Sequence, residues 1–442
     1  WHCGNLFNLD FSQNNRITFN EISKTAIQRA LENIHTLDID SVNSQQTRRC
    51  IDRLIGYGIS PLLWKHINTK QSGLSAGRVQ SALLDILKKH EDHIENHEPE
   101  LVYDIKGTLY TNDKRDIECE FIIDDNVEEI DIVEIYKSFI QNHLFKVVKE
   151  RISTEKKYPS PPLITSTLQQ VCQSELNLPV TKTMSVAQKL YDNGLITYMR
   201  TDSTSISPEY TCKLKDDIID KYGEDYFKIP KKKKIKGAQE AHECIRPTGI
   251  NVELNKNTFD DIDVKVYELI VRKTYESHMK PAEYDVIKTY LSTEESEMWG
   301  KFLMKSKRLK YLGYLIYSQK YAIEEPIPTD KIKYARLHKT ITRETEDNPP
   351  QYYNESTIVK KMETSGIGRP STYASTIGTI MNRKYVTKKT VKSTSKQEDV
   401  YILEHDDEIK KDQVTVKIPE QKNKIVLTDL GIEVHKYLSQ HF

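Results

Sequence analysis

Apolar residues return at helical spacing from Arg16 to Asn96. In NEISKTAIQRAL, Ala26, Ile27, Ala30 and Leu31 fall on one face behind Ser23, which predicts an N-cap at that serine. About three or four helices are expected in this stretch. From Leu101 to about Thr154 the period shortens to two and β-branched residues accumulate, in YDIKGTLYT, IECEFII and FKVVKERIS. That pattern predicts antiparallel strands around one short helix, IDIVEIYKSFIQNH. The prolines of YPSPPLIT mark a boundary. Residues 163 to 250 read as helical again. Strands return after Pro281, in EYDVIKTYLST, YLGYLIY and EEPIPTDKIKYARLHKTITRET, and helices resume at Glu355.

The resulting order is helical, β, helical, β, helical. Two interruptions of this kind predict that the β segments on either side of the middle helical unit share one sheet, with that unit inserted into it. The first and last helical segments are expected to pair likewise. The expected division is 1–97, 98–157, 158–280, 281–345 and 346–442.

Composition narrows the class. A chain of 442 residues with 37% hydrophobic and 9% aromatic content can build roughly two to four packed domains. No run of about eighteen apolar residues occurs, and WHCGNLFNLD lacks a basic and then apolar leader, so neither a membrane span nor a signal peptide is expected. Lys plus Arg equals Asp plus Glu at 65 each, so only local clustering speaks to a polyanionic partner. Six scattered cysteines without a C-x-x-C pair argue against a zinc ribbon and against a secreted disulfide scaffold. A reducing interior is expected. The chain opens without methionine in what reads as a helix tail, and is expected to be part of a longer protein.

Five stretches carry candidate chemistry. LYDNGLITYMRTDSTSIS reads as a helix stopped by Gly194, a short apolar strand at Leu195 and Ile196, and a polar loop. The loop delivers the Tyr198 phenol, the Arg200 guanidinium and the Asp202 carboxylate at the end of a buried element. The structural alternative is a packed tyrosine with Arg200 and Asp202 as a local ion pair. QEAHECIRPT gathers Glu240, His242, Glu243 and Arg246 before a proline. QQTRRCIDRLIGY sets Arg48, Arg49, Asp52 and Arg53 over about one and a half turns, with Ile51, Leu54 and Ile55 expected on the opposite face. SGLSAGRVQSALLDIL places small residues before Arg78 and Gln80 at a helix start, where a phosphate can approach backbone N–H groups. SGIGRPSTYASTIGTI repeats the device, with Pro370 opening a helix and the Ser371 and Thr372 hydroxyls in its first turn.

In this order the five stretches resemble the bacterial-type type IA DNA topoisomerases, from about Arg16 to about Val434. GLITYMRTDST, SAGRVQS, QEAHECIRP, ITSTLQQ and GIGRPSTYAS are close to the family's signatures. The resemblance implies a mixed α and β multidomain fold, with helical DNA-binding domains joined by an antiparallel β arch into a toroidal core. Segments 1–97 and 346–442 would form the helical DNA-binding domain, 98–157 and 281–345 the arch, and 158–280 the domain of the active-site tyrosine.

The resemblance further implies that Tyr198 is the nucleophile, joining the 5′ phosphate of single-stranded DNA and leaving a free 3′ hydroxyl. Arg200 would contact the scissile phosphate, and His242 and Asp202 would support the site. Arg48, Arg49, Asp52, Tyr57, Trp64 and the segment Ser75, Ala76, Gly77, Arg78, Val79 and Gln80 match the family's strand-binding groove. Arg369, Ser371 and Thr372 match its later part. The chemistry stands on its own as well. A tyrosine with a pKa near ~10 is a poor nucleophile without a proton acceptor and an adjacent cation, and a guanidinium suits phosphate oxygens. Transesterification conserves the broken bond, in keeping with a chain that lacks G-x-x-x-x-G-K-[ST] and needs no ATP.

The implied function is relaxation of negatively supercoiled DNA by a monomeric enzyme, cytoplasmic at the nucleoid or viral, and not secreted. The family's glutamate, lysine and magnesium carboxylates lie in an N-terminal α/β (Toprim) domain. Magnesium is therefore expected to be held outside this chain, which is not expected to be fully active alone. A single-strand binding or nicking fragment is the alternative. A tyrosine recombinase fits less well, because its tyrosine follows an H-x-x-R pair, whereas Tyr198 precedes His242. FDDIDVKVYELI, with Asp261, Asp263 and Glu268, reads as a capped helix start and not as a metal site. His90, His93 and His97 are expected on a solvated face. The lysine run 231–234 is expected to be an exposed loop that adds nonspecific attraction to DNA.

Overall fold

The computed structural model describes residues 1–69, 73–230, 243–252, 254–255, 257–319, 332–404 and 407–442. The first segment forms α1 (His2–Leu6), α2 (Lys24–Glu32), α3 (Ile39–His66) and α4 (Arg78–Glu95). Ser23 caps α2 by accepting from the Ala26 amide, as its sequence predicts. Then come β1 (Leu101–Thr111), β2 (Asp116–Ile123), α5 (Ile132–Gln141) and β3 (Leu144–Lys157). The middle unit holds α6 (Thr165–Leu176), α7 (Val180–Asp192), α8 (Pro208–Tyr222) and α9 (Asp261–Ser277). After it follow β4 (Ala282–Ser292), β5 (Gly300–Tyr311), α10 (Leu315–Ser318) and β6 (Tyr334–Glu346). The last segment has α11 (Glu355–Thr364), α12 (Tyr373–Asn382), β7 (Val386–Val391), β8 (Thr394–Leu403), β9 (Ile409–Ile418), β10 (Gln421–Leu427) and α13 (Asp429–His441).

The strands before and after the middle unit do share one antiparallel sheet, in the order β1-β2-β5-β4-β3-β6. β6 also pairs with β1, from Leu101 opposite Glu346 to Thr111 opposite Ala335, so the six strands close on themselves. Closure leaves no free edge among them. Alternation sends Ile105, Leu109, Ile117, Phe121 and Phe302 inward, where Phe139 of α5 and Phe145 meet them. Phe121, Phe139, Phe145 and Phe302 pack mostly edge to face, with centroids 5.0 to 5.6 Å apart. Gly107 makes room for this cluster: a Cβ there would stand 2.5 Å from the Phe302 ring.

The first and last helical segments share a core as well. Leu63, Leu83, Leu84 and Leu87 pack with Ile358, Met362, Ile377, Ile380, Tyr385 and Val434, and Val180 of the middle unit joins them. Glu355 ties this contact down, accepting from the Val180 amide at 2.6 Å and pairing with Lys388 at 2.6 Å.

The structure corrects several expectations. Strands β7 to β10 occupy a segment expected to be helical. β8 lies against β6, so pairing with an existing strand overrides the polar, lysine-rich composition of that stretch. YLGYLIY is not a strand but a turn and the short helix α10, because Gly313 takes a positive φ of 52° against the carbonyls of Lys280 and Pro281. Of the three histidines expected on a solvated face, His93 is exposed, whereas His90 and His97 are half-buried and bonded. His90 bonds the Gln351 carbonyl at 2.9 Å and stacks on Tyr353, and His97 bonds Asp347 at 3.1 Å. Leu54 is 73% exposed and Ile51 38%, so the N-terminal part of α3 carries its apolar residues on the surface. Asp260 caps α9 in a capping box with Asp263, as FDDIDVKVYELI predicts. The lysine run 231–234 lies outside the described residues.

Candidate active site

The segment Gly194 to Ser203 is held by its backbone from three directions. α7 ends at Asp192, and Gly194 turns the chain with a φ of 69° while its amide donates to the Tyr191 carbonyl at 2.8 Å. Only glycine fits, because a Cβ would stand 2.7 Å from the Ile22 carbonyl oxygen. The expected strand at Leu195 and Ile196 is reduced to a single bridge, Ile196 with Pro247.

Around that bridge the Thr197 amide donates to the Arg246 carbonyl at 2.9 Å, and the Thr197 hydroxyl donates to the Cys244 carbonyl at 2.6 Å. The Tyr198 amide donates to the Asn20 carbonyl at 2.8 Å. On the third side the buried Thr165 hydroxyl, at the start of α6, donates to the Met199 carbonyl at 2.7 Å and accepts from the Thr201 amide at 2.9 Å. Ile196 and Met199 sink into the core of α6, α7 and α9. Burial of each contributes roughly 1.5–3 kcal/mol.

This alternation fixes what is left outside. Ile196, Thr197, Met199 and Thr201 are buried, Tyr198 is half-buried and Arg200 is exposed. The Tyr198 ring meets the Tyr191 ring edge-on at 5.2 Å. Burial raises the Tyr191 phenol above its usual range, and the neighbouring Tyr198 adds to the shift. Among the described residues none pairs with or accepts from the Arg200 guanidinium. The ion pair of Arg200 with Asp202, the structural alternative, is thus not formed. His242 and Glu240 lie outside the described residues.

The Asp202 carboxylate is near enough to the second Gly/Arg stretch for its charge to act on Tyr373. The hydroxyl of Tyr373 is pushed up to about 12, first by burial and then by Glu363, with the Arg369 guanidinium opposing and the Asp202 carboxylate adding. Asp202, Arg369 and Tyr373 therefore share one neighbourhood. GIGRPSTYAS does not open its helix at Pro370: α12 begins at Tyr373, and Arg369 to Thr372 form a turn in which the Arg369 amide donates to the Thr372 hydroxyl at 2.8 Å. That bond competes with helix entry. Gly368, at a φ of 82°, lets the Tyr373 ring approach.

α12 links this end to the Ser75–Gln80 stretch. Just past its C-terminus, the buried Tyr385 hydroxyl donates to the Ser75 carbonyl at 2.9 Å and accepts from the Ser75 amide at 2.8 Å. The Ala76 amide donates to Ser60 at 3.1 Å and the Trp64 indole to the Leu74 carbonyl at 2.6 Å. Gly77 is the N-cap of α4, Gln80 donates to the Ser75 carbonyl at 2.5 Å, and Arg78 pairs with Asp52 at 2.8 Å. Val79 packs against the shared core. The 10 residues of α12 span about 15 Å, with Arg369 to Thr372 just before its start and Tyr385, bonded to Ser75, just past its end. Arg48 and Arg49 are exposed on α3 within about one turn of Asp52, the partner of Arg78, and Arg53 sits over the Tyr57 ring at 5.3 Å.

Asn20 and Tyr385, which hold backbone groups of Tyr198 and Ser75, lie outside the signature stretches singled out in the sequence, whereas Thr165 and Tyr373 lie within ITSTLQQ and GIGRPSTYAS. A threonine inside an apolar run, as in Thr165 and Thr197, was the one local signal available. Tyr385 offers none. The acidic stretch at α9 is not a metal site: Asp263 is buried, bonded to Lys189 and to the Asp260 amide. Among the described residues no three His, Cys, Asp or Glu side chains gather to hold a metal, and no helix is long and apolar enough to cross a membrane.

Comparison with known proteins identifies the family. A DNA topoisomerase family model matches residues 36–440. The chain is 34% identical, over 97% of its length, to a prokaryotic-type DNA topoisomerase 1 of Acanthamoeba polyphaga mimivirus, covering 55% of that protein. It is 37% identical over 87% of its length to DNA topoisomerase 1 of Vibrio cholerae, covering 44% of it. The chain thus spans about half the length of the curated relatives it matches. The structure of full-length topoisomerase I from Thermotoga maritima superposes with a TM-score of 0.77 at 30% identity, covering all of this chain and 68% of that one. The chain belongs to the bacterial-type type IA DNA topoisomerases.

Proposed function

We propose that the protein containing this chain cleaves one strand of DNA through Tyr198, passes a strand through the break and rejoins it, relaxing negatively supercoiled DNA without ATP. The observation that carries this reading is the contrast at the loop tip. The backbone of Thr197 to Thr201 is bonded on three sides, while the half-buried Tyr198 and the exposed Arg200 stand outside it. A nucleophile and a cation on a rigid support are what in-line attack on a phosphodiester requires.

The Tyr198 oxygen would form the new bond to phosphorus as the bond from phosphorus to the 3′ oxygen breaks, with the phenol proton passing to the departing 3′ oxygen. Rejoining is the reverse. Arg200 would bind the non-bridging oxygens and favour the phenolate. Asp202, with His242 from the neighbouring stretch, would orient the groups around the phosphate. Single-stranded DNA would run from this loop past Arg369, Ser371 and Thr372 and along α12 to Ser75–Gln80, held mainly through its phosphates, with Trp64 and Tyr57 offering stacking faces. Arg48 and Arg49 would extend the contact on α3.

The magnesium that the family implies finds no fitting donors among the described residues, since the Asp260–Asp263 carboxylates are spent on a helix cap and a buried ion pair. No step here is routed through it, and its ligands are proposed to lie outside this chain. We take the enzyme to act as a monomer.

The test is a linking-number assay on negatively supercoiled plasmid without nucleotide. Wild-type protein should yield topoisomers spaced by one, and Tyr198→Phe protein none. DNA binding without any covalent complex or change of linking number would favour a strand-binding role, which the relatives' names do not.

A further inference from the structure

Behind the Tyr198 loop lies a cavity of about 500 Å³, lined in part by Asn20, Glu21, Arg29, Tyr210, Glu243 and Arg246. Arg246 is 3% exposed, yet it carries a full charge in a wall of this cavity. Its Nε donates to Glu243 at 2.8 Å and its Nη1 to the Pro247 carbonyl at 3.0 Å. Nη2 lies 2.7 Å from Glu243 and 3.1 Å from Glu21, and the guanidinium sits 4.3 Å above the Tyr210 ring. The guanidinium is thus hydrogen-bonded to Glu243 and in charge contact with Glu21, whose buried Oε2 accepts no aligned hydrogen bond.

Those contacts surround the nucleophile's backbone. Arg246 exchanges two bonds with Thr197, through its own amide at 3.0 Å and its carbonyl at 2.9 Å. Glu21 lies between Asn20, whose carbonyl receives the Tyr198 amide, and Ile22, whose carbonyl abuts Gly194. We infer that Arg246 is a positioning residue: by pairing with Glu21 it clamps segment 20–22 against the loop and so fixes the direction in which Tyr198 leaves the backbone. Arg246 touches no DNA in this role. An arginine is needed because its fork reaches Glu243 and Glu21 at once, which a lysine cannot do. Its burial is the reason that loss of one partner is felt locally, as an unpaired buried charge.

The functional consequence rests on the reading of Tyr198 as nucleophile, but the clamp itself does not. The test is amide hydrogen exchange by mass spectrometry on wild-type protein, Arg246→Gln, Glu21→Gln, the double variant and Arg246→Lys, with thermal melting of each. Arg29→Ala serves as control, because Arg29 pairs with Glu209 across the same cavity without entering the clamp.

Both glutamine variants should raise exchange at residues 194–203 by about tenfold or more while α6, α7 and α9 keep theirs. The double variant should add little to either single one. Arg246→Lys should fall between, and Arg29→Ala should match wild type. Covalent-complex formation should drop in parallel at unchanged oligonucleotide affinity. Unchanged exchange at 194–203 overturns the clamp, and so does equal acceleration throughout α6, α7 and α9, which would make Arg246 a packing residue. A Tyr198→Phe protein that still forms a covalent complex would overturn the nucleophile instead and leave the exchange result to decide the clamp.

Discussion

The Tyr385 hydroxyl makes two bonds to one residue, donating to the Ser75 carbonyl and accepting from the Ser75 amide. One phenol thus holds both backbone polar groups of a serine that comes 310 positions earlier in the chain, inside the core that joins the first and last helical segments. The glycine and small residues of Ser75–Gly77 leave that stretch without side chains able to fix it, so the fixation comes from outside.

Tyr385→Phe should therefore cost roughly 0.5–1.5 kcal/mol, because it leaves the half-buried Ser75 N–H without its partner and the carbonyl to Gln80 alone, without opening a cavity. Chemical denaturation measures the loss. Weaker oligonucleotide binding should accompany it if Ser75–Gln80 contacts the strand.

Arg49→Ala should weaken binding to every single strand alike and lower the slope of log affinity against log salt by about one. Arg49 is exposed on α3 with no carboxylate partner among the described residues, so the substitution removes a charge and little packing. Fluorescence anisotropy at several salt concentrations checks this. Selective loss for one base sequence would contradict it.

Gly194→Ala tests the support of the loop. A side chain at positive φ costs roughly 1–2 kcal/mol, and here the Cβ would also press on the Ile22 carbonyl. The variant should lose covalent-complex formation far more than strand binding, since the track along α12 does not pass through Gly194. Quantifying both on one labelled oligonucleotide separates the two effects.

Stability should fall in mild acid. Burial holds His278, bonded to the Thr274 carbonyl at the end of α9, neutral down to about 4, below its ordinary value of 6.5. The unfolded chain takes up a proton near pH 6.5 and the folded chain only near 4. The contribution is complete above pH 6.5 and is lost as pH falls toward 4, by ~3 kcal/mol. Urea midpoints at pH 7 and pH 5 should differ in this sense, and less so in His278→Gln.

Much of this was legible in the sequence because local and global signals agree there. The alternation in YDIKGTLYT and the stop at Asn193–Gly194 are each dictated by the residues that form them. The closed ring of strands was only half legible: that the two β segments share a sheet follows from their order, but the pairing of β6 with β1 depends on contacts that no local period encodes. β8 and β9 were missed because their lysines and acids suit a surface loop until β6 supplies an edge. At the site, the polar loop carrying Tyr198 and Arg200 at the end of a buried element was legible from the apolar run before it, and the roles proposed for the two residues come from the resemblance. Asn20, Glu21 and Tyr385 were not, since each acts through a backbone group or charge far away in sequence.

Tyr198 should become joined to a 5′ phosphate, and mapping the covalent complex reads out that bond. Protein trapped on a single-stranded oligonucleotide by alkali or detergent is trimmed with nuclease and protease and analysed by mass spectrometry. The expected product is a residual nucleotide, linked through its 5′ phosphate, on the peptide containing Tyr198, with no such species from Tyr198→Phe. A nucleotide on any other residue, or one linked through a 3′ phosphate, would contradict it.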